Sequence, residues 1–468
     1  MVCVTAWWRR LGLNICAFGI ATLIGVSAAS AQAWWDSYQH GLREVTDGFL
    51  PSPSLATSLP KNGDPAGFRK WLGERGVVFG LEYTNDVLSN VRGGTRTGTI
   101  DQGKLHGILT IDLGKLAGWD GLSFFANAFQ IHNTGRLRRD YVGGINTIAA
   151  IEALATTRLS EIWFEQSFAN GMASLKVGQL TADSEFFYSN LSQMFLQSDW
   201  PTIPAVNLPS GGAAYPLSTP GVRLQVNPVQ NVWVRVAMLN GDPAGPGVGD
   251  EQLRNRYGLN FRVNDPPFFI GESEFQHNYG KEDKGLATRI VAGAWGHTGQ
   301  FDDKRFAVGG SLLADPLGSG VPIKKRGNNG IYAVIDQQLY RPQGGDSQSG
   351  ISVYTRMSMS PSDRNLIDRY IDGGITFGGL IPHRPNDRFG AAFIYSRFSN
   401  SIRAFDRDQV LFGTPVPIQD YEANLELTYV AQIVPGLWLM PTFQYVWHPN
   451  GDATKNATVL GFRSLWRY

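Results

Sequence analysis

Cysteine is nearly absent from this chain of 468 residues. Its two cysteines, Cys3 and Cys16, both lie in an N-terminal segment with the pattern of an export signal. Removal of that segment leaves no thiol in the chain. Disulfides and thiolate-ligated metal sites are therefore excluded from the remaining sequence.

Charge is also scarce. Charged residues make up 17% of the chain, against about 25% in an average soluble protein. The 41 Lys and Arg balance 40 Asp and Glu, so the formal net charge of +1 gives no basis for binding nucleic acid. Beyond the N-terminus the sequence lacks the run of about 20 apolar residues that a membrane-spanning helix requires.

The N-terminus has the three parts of a secretory signal. Arg9 and Arg10 precede an apolar run at residues 11–26, which is followed by small residues with an A-x-A pattern. We predict a signal peptide at residues 1–33, cleaved after Ala31 or Ala33. An uncleaved anchor helix is the alternative, but the apolar run is short and ends in small residues.

What the chain does have is alternation with a period of two. Near the C-terminus, Leu425, Leu427 and Tyr429 fall on one face of an extended segment, while Glu426 and Thr428 fall on the other. A period of two is the strand period. A face rich in apolar and aromatic residues opposite a charged face suits a strand with lipid outside and water inside.

Similar runs recur from residue 77 to the end, giving eighteen candidate strands, among them residues 259–263 and, weakest, 305–314. Short turns alternate with long connections, as in outer-membrane barrels whose short turns face the periplasm. The pattern predicts an all-β transmembrane antiparallel β-barrel over residues 77–468. Residues 34–76 are predicted to form a short, partly helical periplasmic segment, with a helix that begins at an Asp64 N-cap and ends at Gly76.

The order of several motifs resembles the carbohydrate-selective porin family, from about residue 62 to the C-terminus. The segments that carry the resemblance are 63–69 (GDPAGFR), 79–94 (FGLEYTNDVLSNVRGG), 159–166 (LSEIWFEQ), 177–180 (VGQL), 332–337 (YAVIDQ), 370–374 (YIDGG), 378–380 (GGL), 384–390 (RPNDRFG) and 441–449 (PTFQYVWHP). The family pattern opens with Asp-Trp-Gly-Gly, where this chain has Asp64-Pro65-Ala66-Gly67. The resemblance implies a 16-stranded barrel, so sixteen strands are expected and eighteen remain possible from the count.

The resemblance further implies passive, carbohydrate-selective diffusion of small sugars across a Gram-negative outer membrane. The alternative is a general or ion-selective diffusion porin of the same architecture. The expected partners are sugars as permeants, outer-membrane lipid and lipopolysaccharide, and the barrel assembly machinery through the C-terminal Tyr468. The protein is expected to act as a monomer or homo-oligomer, without a cofactor or metal.

An enzyme is not expected. Glu161 and Glu165 share one strand face but stand about 13 Å apart along it, at about 3.3 Å per residue, which is too far for a glycosidase pair. A sugar has many hydroxyls and flat apolar ring faces, so a selective pore needs hydrogen-bonding side chains and aromatic rings. A barrel lipase and a soluble sugar-binding protein are two further interpretations. No local motif supports the lipase, and the aromatic-rich outward faces argue against a soluble protein.

Alternation assigns both charge signs to the interior, which argues against a simple ion filter. The predicted pore-lining and sugar-binding residues are Glu82, His106, Glu161, Trp163, Glu165, Lys176, Arg223, Arg235, Glu272, Glu274, Asp336, Arg356, Glu422, Glu426 and Arg463. The connection at residues 181–220 is the predicted constriction loop, because long barrel loops can fold inward. Its candidate residues are Phe186, Tyr188, Phe195 and Trp200.

Overall fold

The computed structural model describes residues 54–58, 63–197, 212–280 and 283–468. The signal predicted at residues 1–33, the following residues 34–53, and Trp200 of the predicted constriction loop lie outside these ranges.

The described residues form sixteen strands, and each pairs antiparallel with its neighbours in sequence. β1 also pairs with β16, which closes the sheet into a barrel. The strands are β1 (Val77–Gly93), β2 (Gly98–Asp112), β3 (Leu122–Asn133), β4 (Thr156–Phe168), β5 (Ala173–Leu180), β6 (Thr219–Val229), β7 (Val232–Asn240), β8 (Pro267–His277), β9 (Thr288–Ala307), β10 (Pro322–Tyr340), β11 (Gly350–Met359), β12 (Ile367–Gly378), β13 (Arg388–Phe398), β14 (Tyr421–Val434), β15 (Leu437–Trp447) and β16 (Asn456–Arg467). Closure pairs the backbone polar groups of the strands without an open edge, as a bilayer demands. The predicted sixteen-stranded antiparallel barrel is confirmed.

The higher count of eighteen strands is wrong. Residues 259–263 lie in the connection between β7 and β8, which pair directly with each other, so the barrel offers no place for a strand there. Residues 305–314 begin at the end of β9 and then turn at Gly309 and Gly310. The φ angles of these glycines, 91° and 84°, end the extended backbone. Alternation over so short a stretch does not require a strand.

The two faces of the wall differ as the alternation predicts. On β14, Glu422 and Glu426 are fully buried, whereas Leu427 is 46% exposed. The exposed apolar face includes stacked aromatic pairs across neighbouring strands, such as Phe377 with Phe389 at 4.6 Å between ring centroids. An apolar outer face that is exposed in the isolated chain is buried by hydrocarbon in a membrane.

Short helical segments flank the strands. The described helices are α1 (Leu55–Ser58), α2 (Phe68–Glu74), α3 (Leu113–Ala117), α4 (Glu251–Arg254) and α5 (Asn400–Leu411). Tight turns such as residues 230–231 and 435–436 lie at the end of the barrel where β1 begins and β16 ends. The long connections 134–155, 181–218, 241–266 and 399–420 all begin at the opposite end. By the usual orientation, the first end is periplasmic and the second is external.

Helix α2 begins later than predicted. Ala66 and Gly67 have positive φ angles of 55° and 69°, which break the helix that Asp64 was expected to start. Asp64 still caps α2, because its carboxylate accepts hydrogen bonds from the backbone nitrogens of Arg69 at 2.8 Å and Lys70 at 3.2 Å. The helix ends at Glu74, two residues before the predicted end.

Candidate functional site

The register of the barrel identifies the residues that face the interior. Glu426 on β14 is opposite Gln444 on β15, and both are fully buried polar side chains. Following such pairs around the barrel assigns one face of every strand to the lumen. All fifteen residues predicted from alternation lie on that face.

In the part of the chain that the structure describes, the barrel interior contains one large cavity, with a volume of about 780 Å³. It lies against the wall formed by β11 to β16, β1 and β2, so the free space is off-centre. The wall residues that border it are Glu82, Thr84, Lys104, Arg356, Gly378, Arg388, Val430, Gln432, Trp438, Met440, Arg463, Leu465 and Arg467. A volume of this size is within the range of small-molecule sites, about 300–1,000 Å³.

The other half of the interior is occupied by the chain between β5 and β6. Its two ends meet where the backbone nitrogen of Ala182 donates to the carbonyl of Ala213 at 2.9 Å. Between them, Phe187 packs on Tyr332 of β10 with 4.5 Å between ring centroids. The described part of the predicted constriction loop, residues 181–197 and 212–218, therefore lies inside the barrel.

Buried carboxylates of the wall hold this loop by its backbone. Each accepts hydrogen bonds from loop N–H groups at 2.8–3.2 Å; the pairs are Glu161 with Thr181, Glu272 with Phe187, Asp336 with Asn190, and Glu426 with Leu196 and Gln197. Each carboxyl group has two acceptor oxygens, and Glu426 uses one for Leu196 and the other for Gln197. A loop in a protein interior needs such acceptors, because a buried N–H without a partner costs about 1–3 kcal/mol.

A second loop, residues 134–155, also enters the lumen. Glu422 of β14 accepts hydrogen bonds from the backbone nitrogens of Ile145 at 2.8 Å and Asn146 at 2.7 Å. Gln444 of β15 donates to the carbonyl of Ile148 at 2.8 Å. The alternation pattern predicts no more for this segment than a long connection between two strands. Its apolar composition at residues 145–154 was the available signal, since such a stretch is unusual in a solvated loop.

The charged side chains behind the constriction loop form ion pairs with one another and with the loop. Arg223 contacts Glu165 at 2.9 Å and Glu185 of the loop at 2.6 Å, and Lys176 also pairs with Glu185. Burial raises the pKa of Glu185, but the attraction of Lys176 and Arg223 outweighs this and holds that pKa well below its usual range. This end of the loop is therefore fixed by an ionised carboxylate between two cations.

A second network joins β7 to β10. Arg235 contacts Glu272 at 3.0 Å and Glu274 at 2.6 Å, while Arg289 contacts Glu274 at 3.0 Å and Asp336 at 3.6 Å. These side chains are almost completely buried under the loop. Two guanidinium groups thus face three carboxylates, and none of these five side chains borders the cavity.

A side chain that faces the barrel interior therefore does not always border the cavity. Among the described residues, three of the fifteen predicted side chains border the cavity: Glu82, Arg356 and Arg463. The other twelve do not border it, and most of them contact the inward loops or lie beneath them: His106, Glu161, Trp163, Glu165, Lys176, Arg223, Arg235, Glu272, Glu274, Asp336, Glu422 and Glu426. The reason is physical: alternation assigns the face of a strand, but only the folded loops decide which of these side chains they cover.

Trp163 and Phe186 illustrate this difference. The indole of Trp163 stacks on Phe125 at 4.8 Å between ring centroids, and the Lys176 ammonium lies 4.0 Å from its centroid, so the ring faces are already in contact with protein. Phe186 packs into the wall cluster around the loop, whereas Tyr188 and Phe195 border the cavity.

Four residues that border the cavity are not among the fifteen predicted from the sequence. Lys104, Arg388, Trp438 and Arg467 all border the free space. Alternation places each of them on the inward face, so the pattern contained the signal, but it gave no means of ranking these four above the many other inward residues.

Among the helices that the structure describes, none combines the length and the hydropathy of a membrane span. In the described part of the chain, no group of three or more His, Cys, Asp or Glu side chains is arranged to hold a metal ion.

Comparison with known proteins matches this architecture. Residues 97–468 match the model of the carbohydrate-selective porin family, OprB family. The chain is 25% identical over 428 residues to Porin B of Pseudomonas aeruginosa, covering 86% of this chain and 89% of that protein. It is 22% identical over 421 residues to the putative porin QuiX of Acinetobacter baylyi, covering 83% of this chain and 88% of that protein.

A solved structure shares the fold. The high-pH structure of Pseudomonas putida OprB superposes with a TM-score of 0.78 at 21% identity, covering 87% of this chain and 97% of that chain. The family and the barrel fold indicate a channel rather than an enzyme. Because the family match extends over most of the sequence, the chain belongs to the carbohydrate-selective porin family, OprB family, and is a sugar-selective porin of the Gram-negative outer membrane.

Proposed function

We propose that small sugars cross this barrel passively along the off-centre cavity, in contact with Glu82, Arg356 and Arg463. Most of the remaining predicted residues act indirectly, because they hold the two inward loops that set the width of the passage. Tyr188 and Phe195 form the loop side of the constriction. The channel lies within a single chain, so a monomer or a homo-oligomer can carry out this function.

The pairing of charges along the cavity carries the proposal. Arg463 contacts Asp86 at 2.7 Å, Arg467 contacts Glu82 at 3.0 Å, and the Arg356–Asp372 contact is 2.5 Å. Arg463 and Arg467 can therefore donate hydrogen bonds to a permeant while Asp86 and Glu82 compensate their charges, whereas Arg356 is 1% exposed and is held mainly by Asp372. Such a wall favours a neutral solute rich in hydroxyls over an ion of either sign. Weak contacts at several points also let the solute leave.

Liposome swelling tests this proposal against a general or ion-selective porin. We expect neutral hexoses to enter faster than neutral amino acids of similar size. Planar bilayers should show little preference between cations and anions. Equal swelling rates for all small solutes would contradict sugar selectivity.

For the parts of the chain beyond the barrel, we propose that export uses a signal removed after Ala31 or Ala33, which N-terminal sequencing of the mature protein tests. We also propose that the assembly machinery binds the C-terminal Tyr468 before the barrel closes, and that lipopolysaccharide surrounds the external end. Removal of Tyr468 should then slow the appearance of the heat-modifiable folded band.

A further inference from the structure

One transverse row of inward residues crosses five neighbouring strands of the cavity wall. It runs from Gln432 on β14 through Trp438 on β15 and Leu465 on β16 to Thr84 on β1 and Lys104 on β2. Each residue is the direct cross-strand partner of the next, and all five border the cavity. Neighbouring strands are about 4.8 Å apart, so adjacent members of the row can contact one small molecule together.

From this row we infer that the cavity contains a pyranose-binding subsite in which the indole of Trp438 stacks on the apolar face of the sugar ring. The inference rests on the proposed function and deepens it, because it names the residues and the class of sugar. The ligand class is hexopyranoses whose hydroxyls are mostly equatorial. In these sugars the hydroxyls project from the ring edge and leave the two ring faces apolar.

Trp438 is suited to this role by its surroundings. Its side chain is half-buried and borders the free space, in contrast to Trp163 under the constriction loop. The Arg467 guanidinium carbon lies 5.3 Å from the indole centroid, and Glu82 holds that guanidinium at 3.0 Å. The indole therefore has a supported orientation, and a preorganised ring loses little conformational freedom when a ligand stacks on it.

The chemistry of the row matches a pyranose laid flat on the wall. Trp438 and its partner Leu465 form an apolar patch in the centre. Gln432 on one side and Thr84 on the other each donate and accept hydrogen bonds, and Lys104 donates at the end of the row. Lys104 forms no ion pair with any carboxylate of the described chain, and its nearest ring contacts are at 5.1 Å. Its side chain borders the cavity, where the ammonium can donate to sugar hydroxyls.

The test is a titration of single-channel current by D-glucose, with D-sorbitol as an open-chain polyol that lacks a flat ring. The sugar concentration at half-maximal block is compared for the wild-type protein, Trp438→Ala and Trp438→Phe. Trp447→Phe is the matched control, because Trp447 lies on the same strand and its odd position faces the outside of the barrel. Conductance without sugar and heat-modifiable gel mobility establish that each variant is folded and open.

We expect Trp438→Ala to raise the half-blocking glucose concentration about five- to tenfold, which is the scale of one aromatic stacking contact. Trp438→Phe should retain most of the affinity, Trp447→Phe should match the wild type, and sorbitol block should be unaffected by all three. Unchanged glucose affinity in Trp438→Ala, with saturable block in the wild type, would overturn the subsite and leave the sugar porin intact. An open wild-type channel in which neither current block nor swelling detects glucose would overturn both.

Discussion

The carboxylate of Glu426 accepts a hydrogen bond from the backbone nitrogen of Leu196 across the lumen, at 2.8 Å, although 230 positions separate the two residues in the chain. Glu426 lies on β14, whereas Leu196 belongs to the loop that leaves the barrel wall at β5. The contact therefore carries the loop across the interior and fixes one side of the passage. Buried acids of this wall therefore act mainly as supports for a loop.

Replacing Glu426 by Gln should loosen the tip of the constriction loop. Gln keeps one acceptor oxygen but places an NH2 group where the second oxygen received the nitrogen of Gln197. We expect a loss of about 1–3 kcal/mol in stability and an increase in single-channel conductance with reduced sugar preference. Glu74→Gln is the matched control, because Glu74 is an exposed acid of helix α2. Wild-type conductance in Glu426→Gln would refute the support role.

Deletion of residues 190–212 should open the passage without breaking the barrel. The loop ends meet at the hydrogen bond between Ala182 and Ala213, so the chain can be rejoined near the wall. We expect higher single-channel conductance and swelling rates that no longer favour sugars over amino acids of equal size. Unchanged conductance would count against the loop as the constriction.

Arg356 should affect both stability and ion preference through Asp372. Arg356→Met leaves a buried carboxylate without its cation, at a cost of about 3–5 kcal/mol, and should shift the channel toward cations. The double variant Arg356→Met with Asp372→Asn removes both charges and should recover most of the stability and the weak ion preference. Reversal potentials in a salt gradient and the temperature of the gel-mobility change measure the two effects. A double variant no better than the single one would contradict this pairing.

Arg69 should stabilise the closing seam of the barrel from the periplasmic end. Its guanidinium donates to the carbonyl of Phe79 at 2.7 Å and lies 4.2 Å and 4.8 Å from the ring centroids of Phe79 and Tyr468. Tyr468 in turn donates to the carbonyl of Gly63 at 2.9 Å. Arg69→Ala should cost about 1–2 kcal/mol and lower the temperature of the gel-mobility change.

The neighbouring Lys70 provides the control for that experiment. It is exposed on the same helix, so Lys70→Ala should leave the transition temperature unchanged. Conductance should be unaffected in both variants, because neither residue borders the cavity. An equal response of the two variants would argue against a specific contact between helix α2 and the β1–β16 seam.

Part of this structure was readable from local sequence. The period of two at residues 421–432 assigned Glu422 and Glu426 to the interior and Leu427 to the lipid, and the register agrees. The physical reason is that side chains of a strand alternate strictly between two faces, and a bilayer outside makes the two faces chemically distinct. The same reasoning overcounted strands, since residues 259–263 alternate without a neighbour to pair with.

The sequence by itself determined the barrel, the family and the inward face of each strand, because these follow from local alternation and from motifs written in order. Only the tertiary structure decided that Glu426 supports a loop, that Trp163 is covered and that Trp438 borders the cavity. These outcomes depend on where two loops cross the lumen. Glu426 and Leu196 are 230 positions apart, and their contact forms only when the sheet closes. Such long-range contacts produce no periodic pattern in the sequence from which they could be predicted.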